Sequence, residues 1–185
     1  MTDCGQSKYP TDVYFLRSKF RNYETTQLIC SRREKNVRIL FRKFVEFSLA
    51  LKQSPIEPTI RDLVDVRASQ INGCAFCLDM HVKEATIHGE RPLRLHHVAA
   101  WRESTLFSPR ERAALAWTEA LTRLPDHGVP DNIYQGVRAH LSEKELSDLS
   151  FLVMAINGWN RINVAFQVIP GTYDKAFGVD KSGLA

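Results

Sequence analysis

In Ser108-Pro109-Arg110-Glu111 and again in Ser142-Glu143-Lys144-Glu145 a serine heads an apolar run and a glutamate follows three residues later. Each pair can close a capping box, the serine accepting from the backbone N–H three residues on and the glutamate reaching back. Pro109 adds a first-position proline, whose fixed φ suits a helix start. Ala113, Leu115, Ala116, Trp117, Ala120 and Leu121 follow with apolar residues on more than one face, which predicts a well-buried helix. Behind Ser142 come Leu146, Leu149, Leu152, Val153 and Ile156, a long helix reaching Asn163 or Phe166 with Gly158 as its weak point. Upstream, Val37, Leu40, Phe41, Phe44, Val45, Ser48 and Leu51 trace a helical stripe. Ser54–Pro58 breaks it, and Thr59-Ile60-Arg61-Asp62 has the form of another capping box. Further helices are predicted through Leu93–Trp101 and from Pro130 through Val137. No alternating strand pattern, glycine-rich phosphate loop or short repeat competes, so the expected fold is all-α, a single-domain bundle of about six or seven helices with short connections.

The chain has 185 residues, 44% of them hydrophobic and 25% charged, enough for a real core. No run approaches the length of a membrane span and no secretory signal is read, so a cytoplasmic protein is expected. The net charge of +4 is uneven. Residues 1–53 carry 11 Lys and Arg against 5 Asp and Glu, and the remainder nets −2. A solvated helix face and a loose basic arm account for this, and neither nucleic acid nor membrane is expected as a partner. The domain reading is an N-terminal extension over residues 1–35, a helical domain over 36–170 and a tail over 171–185. Cys4 and Cys30 have no partner at useful spacing.

The chemistry concentrates in Ser69-Gln70-Ile71-Asn72-Gly73-Cys74-Ala75-Phe76-Cys77-Leu78-Asp79-Met80-His81. Asn72 or Gly73 is the expected N-cap of a helix running from Cys74 to His88, with Gly89 as its stop. Both cysteines then lie in the first turn, where free backbone N–H groups stabilise a thiolate. His81, four residues after Cys77, falls on the same face. A thiol, a second thiol to trap its oxidised form and an imidazole to move a proton make a redox dithiol. The same residues also fit an incomplete zinc site, lacking a fourth ligand, or two buried thiols that happen to be neighbours. Asp62 lies twelve residues before Cys74. It is either the third position of the Thr59 box or, if the flanking helices pack antiparallel, a carboxylate approaching His81 or Cys77. Asp79 and Glu84 are expected on the exposed face, and His88 needs no role beyond its place at a helix C-terminus. Trp101, Trp117 and Trp159 are read as core. Asn157, Asn160 and Arg161 are polar residues in an apolar helix and need partners if buried.

The stretch Arg67–His81, together with Trp101-Arg102-Glu103, Glu111–Ala120 and Asn157-Gly158-Trp159-Asn160-Arg161, resembles the alkyl hydroperoxidase D-like proteins of the carboxymuconolactone decarboxylase superfamily. The likeness covers residues 36–170. It implies an all-helical homo-oligomer, trimer or hexamer, that reduces hydroperoxides with thiols. On that pattern Cys77 attacks the peroxide, Cys74 resolves it to a disulfide, and His81 with Asp62 relays the proton. No cofactor beyond the cysteine pair and no metal is implied, and the electrons come from a thiol reductant, a lipoyl protein or a thioredoxin-like one. Two departures stand out. Asp62 replaces the family's longer glutamate, and Phe76 stands where well-known members carry another histidine. Other classes remain open: a non-enzymatic metal-binding or redox-sensing oligomer, or a decarboxylase-like enzyme, although the decarboxylase branch lacks the cysteine pair. The breadth of the apolar faces around Leu115–Leu121 and Trp159 also points to an oligomer.

Overall fold

The computed structural model describes residues 35–184. Cys4, Cys30 and nearly all of the predicted extension lie outside them. The chain divides between Ile39 and Leu40, and the unit from Leu40 onward carries the bundle. Among the described residues eight α-helices follow in order: α1 (Lys35–Leu51), α2 (Pro58–Asn72), α3 (Ala75–Ile87), α4 (Pro92–His97), α5 (Pro109–Arg123), α6 (Asp131–Arg138), α7 (Glu143–Ala165) and α8 (Asp174–Phe177). The all-α expectation holds. No helix among the described residues is long and apolar enough to cross a membrane.

α2 is the central element, packed against α3, α5 and α7. Its apolar residues serve two cores. Ile60 and Val64 enter one with Trp117, Leu149 and Val153, while Leu63 and Val66 enter the other with Ala85, Val98, Trp101 and Leu115. Leu63, Leu115 and Leu149 are completely enclosed, each contributing about 1.5–3 kcal/mol of apolar burial.

The capping boxes of α5 and α7 form as predicted. Glu111 N–H donates to Ser108 Oγ at 3.3 Å and Ser108 N–H to Glu111 Oε2 at 2.7 Å. Ser142 and Glu145 exchange the same bonds at 3.2 and 2.8 Å. The box predicted at Thr59 does not form. α2 starts two residues earlier because Pro58 takes the first helical position behind Glu57, and no side chain caps it. Asp62 is therefore free of any capping duty and is committed elsewhere.

Residues 171–184, read from the sequence as a tail, are ordered against α3. Tyr173, Ala176 and Val179 are buried, and the Tyr173 ring meets Phe76 edge-on at 5.8 Å. Lys83 of α3 is enclosed between Asp174 at 2.8 Å and Asp79 at 2.9 Å, and those carboxylates, Asp174 first, hold its ammonium above the usual range. Asp79, expected on an exposed face, is thus tied to the C-terminal segment, whose Gly171 N–H it also accepts.

Gly158 explains itself in this packing. A Cβ built there would lie 2.6 Å from Phe44 Cζ of α1, and the Phe44 ring is held 4.5 Å from that of Trp159. The glycine admits an aromatic ring against the helix backbone. Gly158→Ala gains about 1 kcal/mol of helix propensity but overpacks a site where such insertions cost about 1–3 kcal/mol. We expect a net loss of roughly 1 kcal/mol, read as a lower denaturant midpoint at unchanged slope. A midpoint at or above wild type would show that Phe44 yields without cost.

Candidate active site

The chain passes from α2 to α3 through one left-handed residue, Gly73, at φ 63°. That single turn fixes the cysteines. The helix N-cap is Cys74 itself rather than Asn72 or Gly73, and its Sγ accepts the backbone N–H of Cys77 at 3.3 Å. The two sulfurs share the first turn, both are free thiols, and neither is more than 2% exposed. Of the first-turn N–H groups expected to favour a thiolate, that of Cys77 is aimed at Cys74. Burial, then the hydrogen bond with the Cys74 thiol, pushes the Cys77 thiol up to about 12, against the side-chain amides of Asn160 and Asn163.

A ladder of side-chain amides holds this turn to α7. Asn72 Nδ2 donates to Asn157 Oδ1 at 2.9 Å and to Asn160 Oδ1 at 2.8 Å. Asn160 is fully buried and donates to Ser69 Oγ at 3.1 Å, while Asn157 donates to Thr122 Oγ1 and accepts from Arg161. The polar residues singled out in the apolar helix are satisfied inside one subunit. The ladder ends at the sulfur, where Asn163 Nδ2 donates to Cys77 Sγ at 3.3 Å.

His81 lies one turn beyond Cys77 with a largely enclosed ring. Its Nδ1 meets Glu84 Oε2 at 3.2 Å and stands 3.8 Å from Asp65 Oδ2. Burial pulls the imidazole down, but Asp65 and Glu84 outweigh it and raise His81 above its usual value. Asp65 itself is pushed from 3.8 to about 7, by burial first and with Glu84 and Asp62 adding to it against His81. Burial would raise Glu84 as well, yet its bond to His81 and the charges of His81, Lys52 and His88 hold it down at about 2. Glu84 belongs to this enclosed cluster and not to the exposed face expected for it.

Asp62 is placed differently from the relay expectation. α2 and α3 do run antiparallel about Gly73, so side chains equally far from the turn meet. Asp62, twelve residues before Cys74, reaches His88, fourteen after it, at 2.8 Å. Asp65, nine before, falls beside His81, seven after. The structure therefore groups Cys74, Cys77 and Asn163 at the head of α3 and His81, Asp65 and Glu84 a turn along it. Asp62 with His88 sits at the far end. There they line a polar depression of about 380 Å³ with Thr59, Gly89, Arg91 and Arg94. Sequence reasoning missed Asp65 and Asn163. Counting residues outward from Gly73 would have found the first, whereas no local signal marks the second. Among the described residues no three His, Cys, Asp or Glu side chains are grouped to hold a metal ion.

The bundle has known counterparts. Residues 40–120 match the carboxymuconolactone decarboxylase family. The uncharacterized protein YdfG of Bacillus subtilis is 46% identical over 114 residues, 62% of this chain and 78% of that protein. A solved structure from Agrobacterium tumefaciens, of unknown function and provisionally described as the antioxidant defence protein AhpD, is 35% identical. It covers 75% of this chain and 97% of its own, with a TM-score of 0.69. The debrominase Bmp8, 18% identical over 94% of this chain and 95% of its own, shares the fold with a TM-score of 0.68. The chain belongs to the carboxymuconolactone decarboxylase family, as an alkyl hydroperoxidase D-like member.

The enclosed cluster generates a pH prediction. With Asp65 raised from 3.8 to about 7, the native state holds a proton that the unfolded chain releases, so stability falls as pH rises through that window. His81, also raised, loses its contribution as pH climbs past its folded value, and Glu84, held near 2, acts only below its ordinary 4.5. Asp65→Asn should flatten the decline in melting temperature between pH 4.5 and 7.5. A mutant profile parallel to wild type would show that Asp65 does not carry the native proton.

Proposed function

We propose that this protein reduces hydroperoxides through a Cys74–Cys77 dithiol/disulfide cycle. The observation that supports it best is the dithiol turn: two enclosed free thiols in the first turn of α3, one capping the backbone amide of the other. In this reading the Cys77 thiolate attacks the terminal oxygen of ROOH. The O–O bond breaks, ROH leaves after taking up a proton, and Cys77 becomes a sulfenic acid. The Cys74 sulfur then attacks Cys77, water departs and the disulfide forms. A thiol reductant, a lipoyl or thioredoxin-like protein, returns two electrons and two protons. No group beyond the cysteine pair is needed.

His81 is the proton carrier in this scheme, its charge supported by Asp65 and Glu84. Asp62 is assigned the relay by resemblance, but its direct partner is His88, so its influence on His81 is through charge across α2. The fold alone does not choose the reaction, since a debrominase shares it. The dithiol argues for peroxide chemistry and against the decarboxylase branch.

We also propose a homo-oligomer, a trimer or hexamer. Leu124, Phe151, Met154, Val164, Phe166 and Ile169 are each about half exposed or more, and five of them lie on α7 or just beyond its end.

The test is consumption of an alkyl hydroperoxide with dihydrolipoamide or thioredoxin as donor. Wild type should turn over, Cys77→Ser should lose at least a hundredfold, and Cys74→Ser should accumulate a trappable sulfenic acid on Cys77. Sulfenic acid on Cys74 in Cys77→Ser would reverse the two roles, and an inert wild type would sink the peroxide reading. Asp65→Asn is expected to slow turnover more than Asp62→Asn, the reverse of the order the resemblance implies. Light scattering at micromolar concentration checks the assembly, and a monomer would refute it.

A further inference from the structure

We propose that Asn163 is a catalytic residue of this thiol chemistry, its side-chain amide donating to Cys77 Sγ and holding the sulfur as a thiolate when it reacts. The assignment rests on the dithiol reading above, and it concerns the step that creates the nucleophile.

The geometry is specific. Asn163 Nδ2 lies 3.3 Å from Cys77 Sγ, a fair N–H···S distance. The residue is pinned from both sides. Its carbonyl accepts Val168 N–H at 3.0 Å where the chain leaves α7. One turn earlier Asn160 is locked by Asn72 and Ser69. The amide is thus presented from a rigid helix to a buried sulfur. A thiol can accept from this NH₂ or, with the amide turned, donate to its oxygen, but a thiolate can only accept. The contact therefore strengthens on deprotonation and favours the reactive form.

Among the described groups near the sulfur, the amide of Asn160 acts in the same sense and the others do not. The Cys77 backbone N–H is directed at Cys74, and the Cys74 thiol raises Cys77 rather than lowering it. His81 is engaged with Glu84 and Asp65, Arg161 with Asn157, and Lys83 with Asp79 and Asp174. The groups that oppose the penalty of burial are both amides, Asn160 and Asn163. Asn160 shares its amide with Ser69 Oγ, whereas the hydrogen bond of Asn163 Nδ2 ends on the sulfur itself.

The experiment is an NMR titration of the full chain with ¹³Cβ-labelled cysteine in a Cys74→Ser background, its midpoint fixed from the alkaline onset over the pH range in which the amide spectrum shows each variant folded. The Cys77 Cβ shift reports ionisation whatever the access of reagents. Asn163→Leu removes the donor and should raise the titration midpoint by about one pH unit, a tenfold smaller thiolate fraction at a given pH. Asn163→Asp, nearly the same shape but acceptor-only, should raise it further, and Asn163→Gln should restore part of the loss. A structural role would lower melting temperature without moving the midpoint. Unchanged midpoints in the Leu and Asp variants overturn the proposal, and if Leu fails to fold, Asp against Gln decides alone. Hydroperoxide turnover by wild type is scored separately. Turnover without a midpoint shift refutes Asn163 and keeps the peroxide reading, while a shift without turnover does the reverse.

Discussion

The left-handed turn at Gly73 sets the geometry of everything that follows it. A residue with a Cβ pays on the order of 1–2 kcal/mol to stand at φ 63°, and glycine does not. Because the turn is one residue long, α3 must fold back along α2, and Cys74 must stand at the N-cap. From that register come the facing pairs Asp62–His88 and Asp65–His81. From it too comes the position of Asn72, the last residue of α2, whose amide reaches two asparagines of α7. Lengthening the turn by one residue would rotate every side chain on α3 by about 100° and break both sets.

The interior built on this register is unusually polar for a helical bundle, and each charge has its partner. Glu119 is enclosed by Arg67, Trp101 and Arg102, and its carboxyl is held low against the cost of burial by those donors. Arg94 bridges Glu90 and Glu111. No buried side-chain nitrogen or oxygen among the described residues lacks a partner. Such networks add little net stability against an apolar core, but removing one member strands the others. Their effect is to tie α2, α4 and the segment after α4 to α5 in a single arrangement.

What was legible in the sequence was local. The capping boxes at Ser108 and Ser142 and the break at Pro55–Pro58 announce themselves through side chains three residues apart. The Thr59 box failed for an equally local reason, since Pro58 occupies the first helical position before it. The site was half legible. Cys74, Cys77 and His81 follow from helical spacing, but the partner of His81 depends on how α2 lies against α3. Asn163 depends on how the far end of α7 lies against the head of α3, which no spacing encodes. The segment after Pro170 was read as a tail because Pro170-Gly171 marks a stop. Yet Tyr173, Ala176 and Val179 recur every three residues, and that is the face it buries.

The resting dithiol is protected more than it is activated, and magnitudes show why a dedicated donor matters. A thiol held at about 12 is ionised about a thousandfold less at neutral pH than one near 9. Its thiolate is a stronger nucleophile, but a Brønsted slope of about 0.4–0.5 returns only ~1.2–1.5 of those three decades. The thiolate population lost outweighs the nucleophilicity gained. Burial, the first cause of the rise, cannot be relaxed without opening the bundle. The second cause is the Cys74 contact, and in the proposed cycle Cys74 must turn from its cap position toward Cys77 to form the disulfide. The remaining lever is the polarity of the groups touching the sulfur. With Phe76 in place of a histidine, the polar groups that oppose the rise of Cys77 are the neutral amides of Asn160 and Asn163, on the opposite helix rather than in the motif itself.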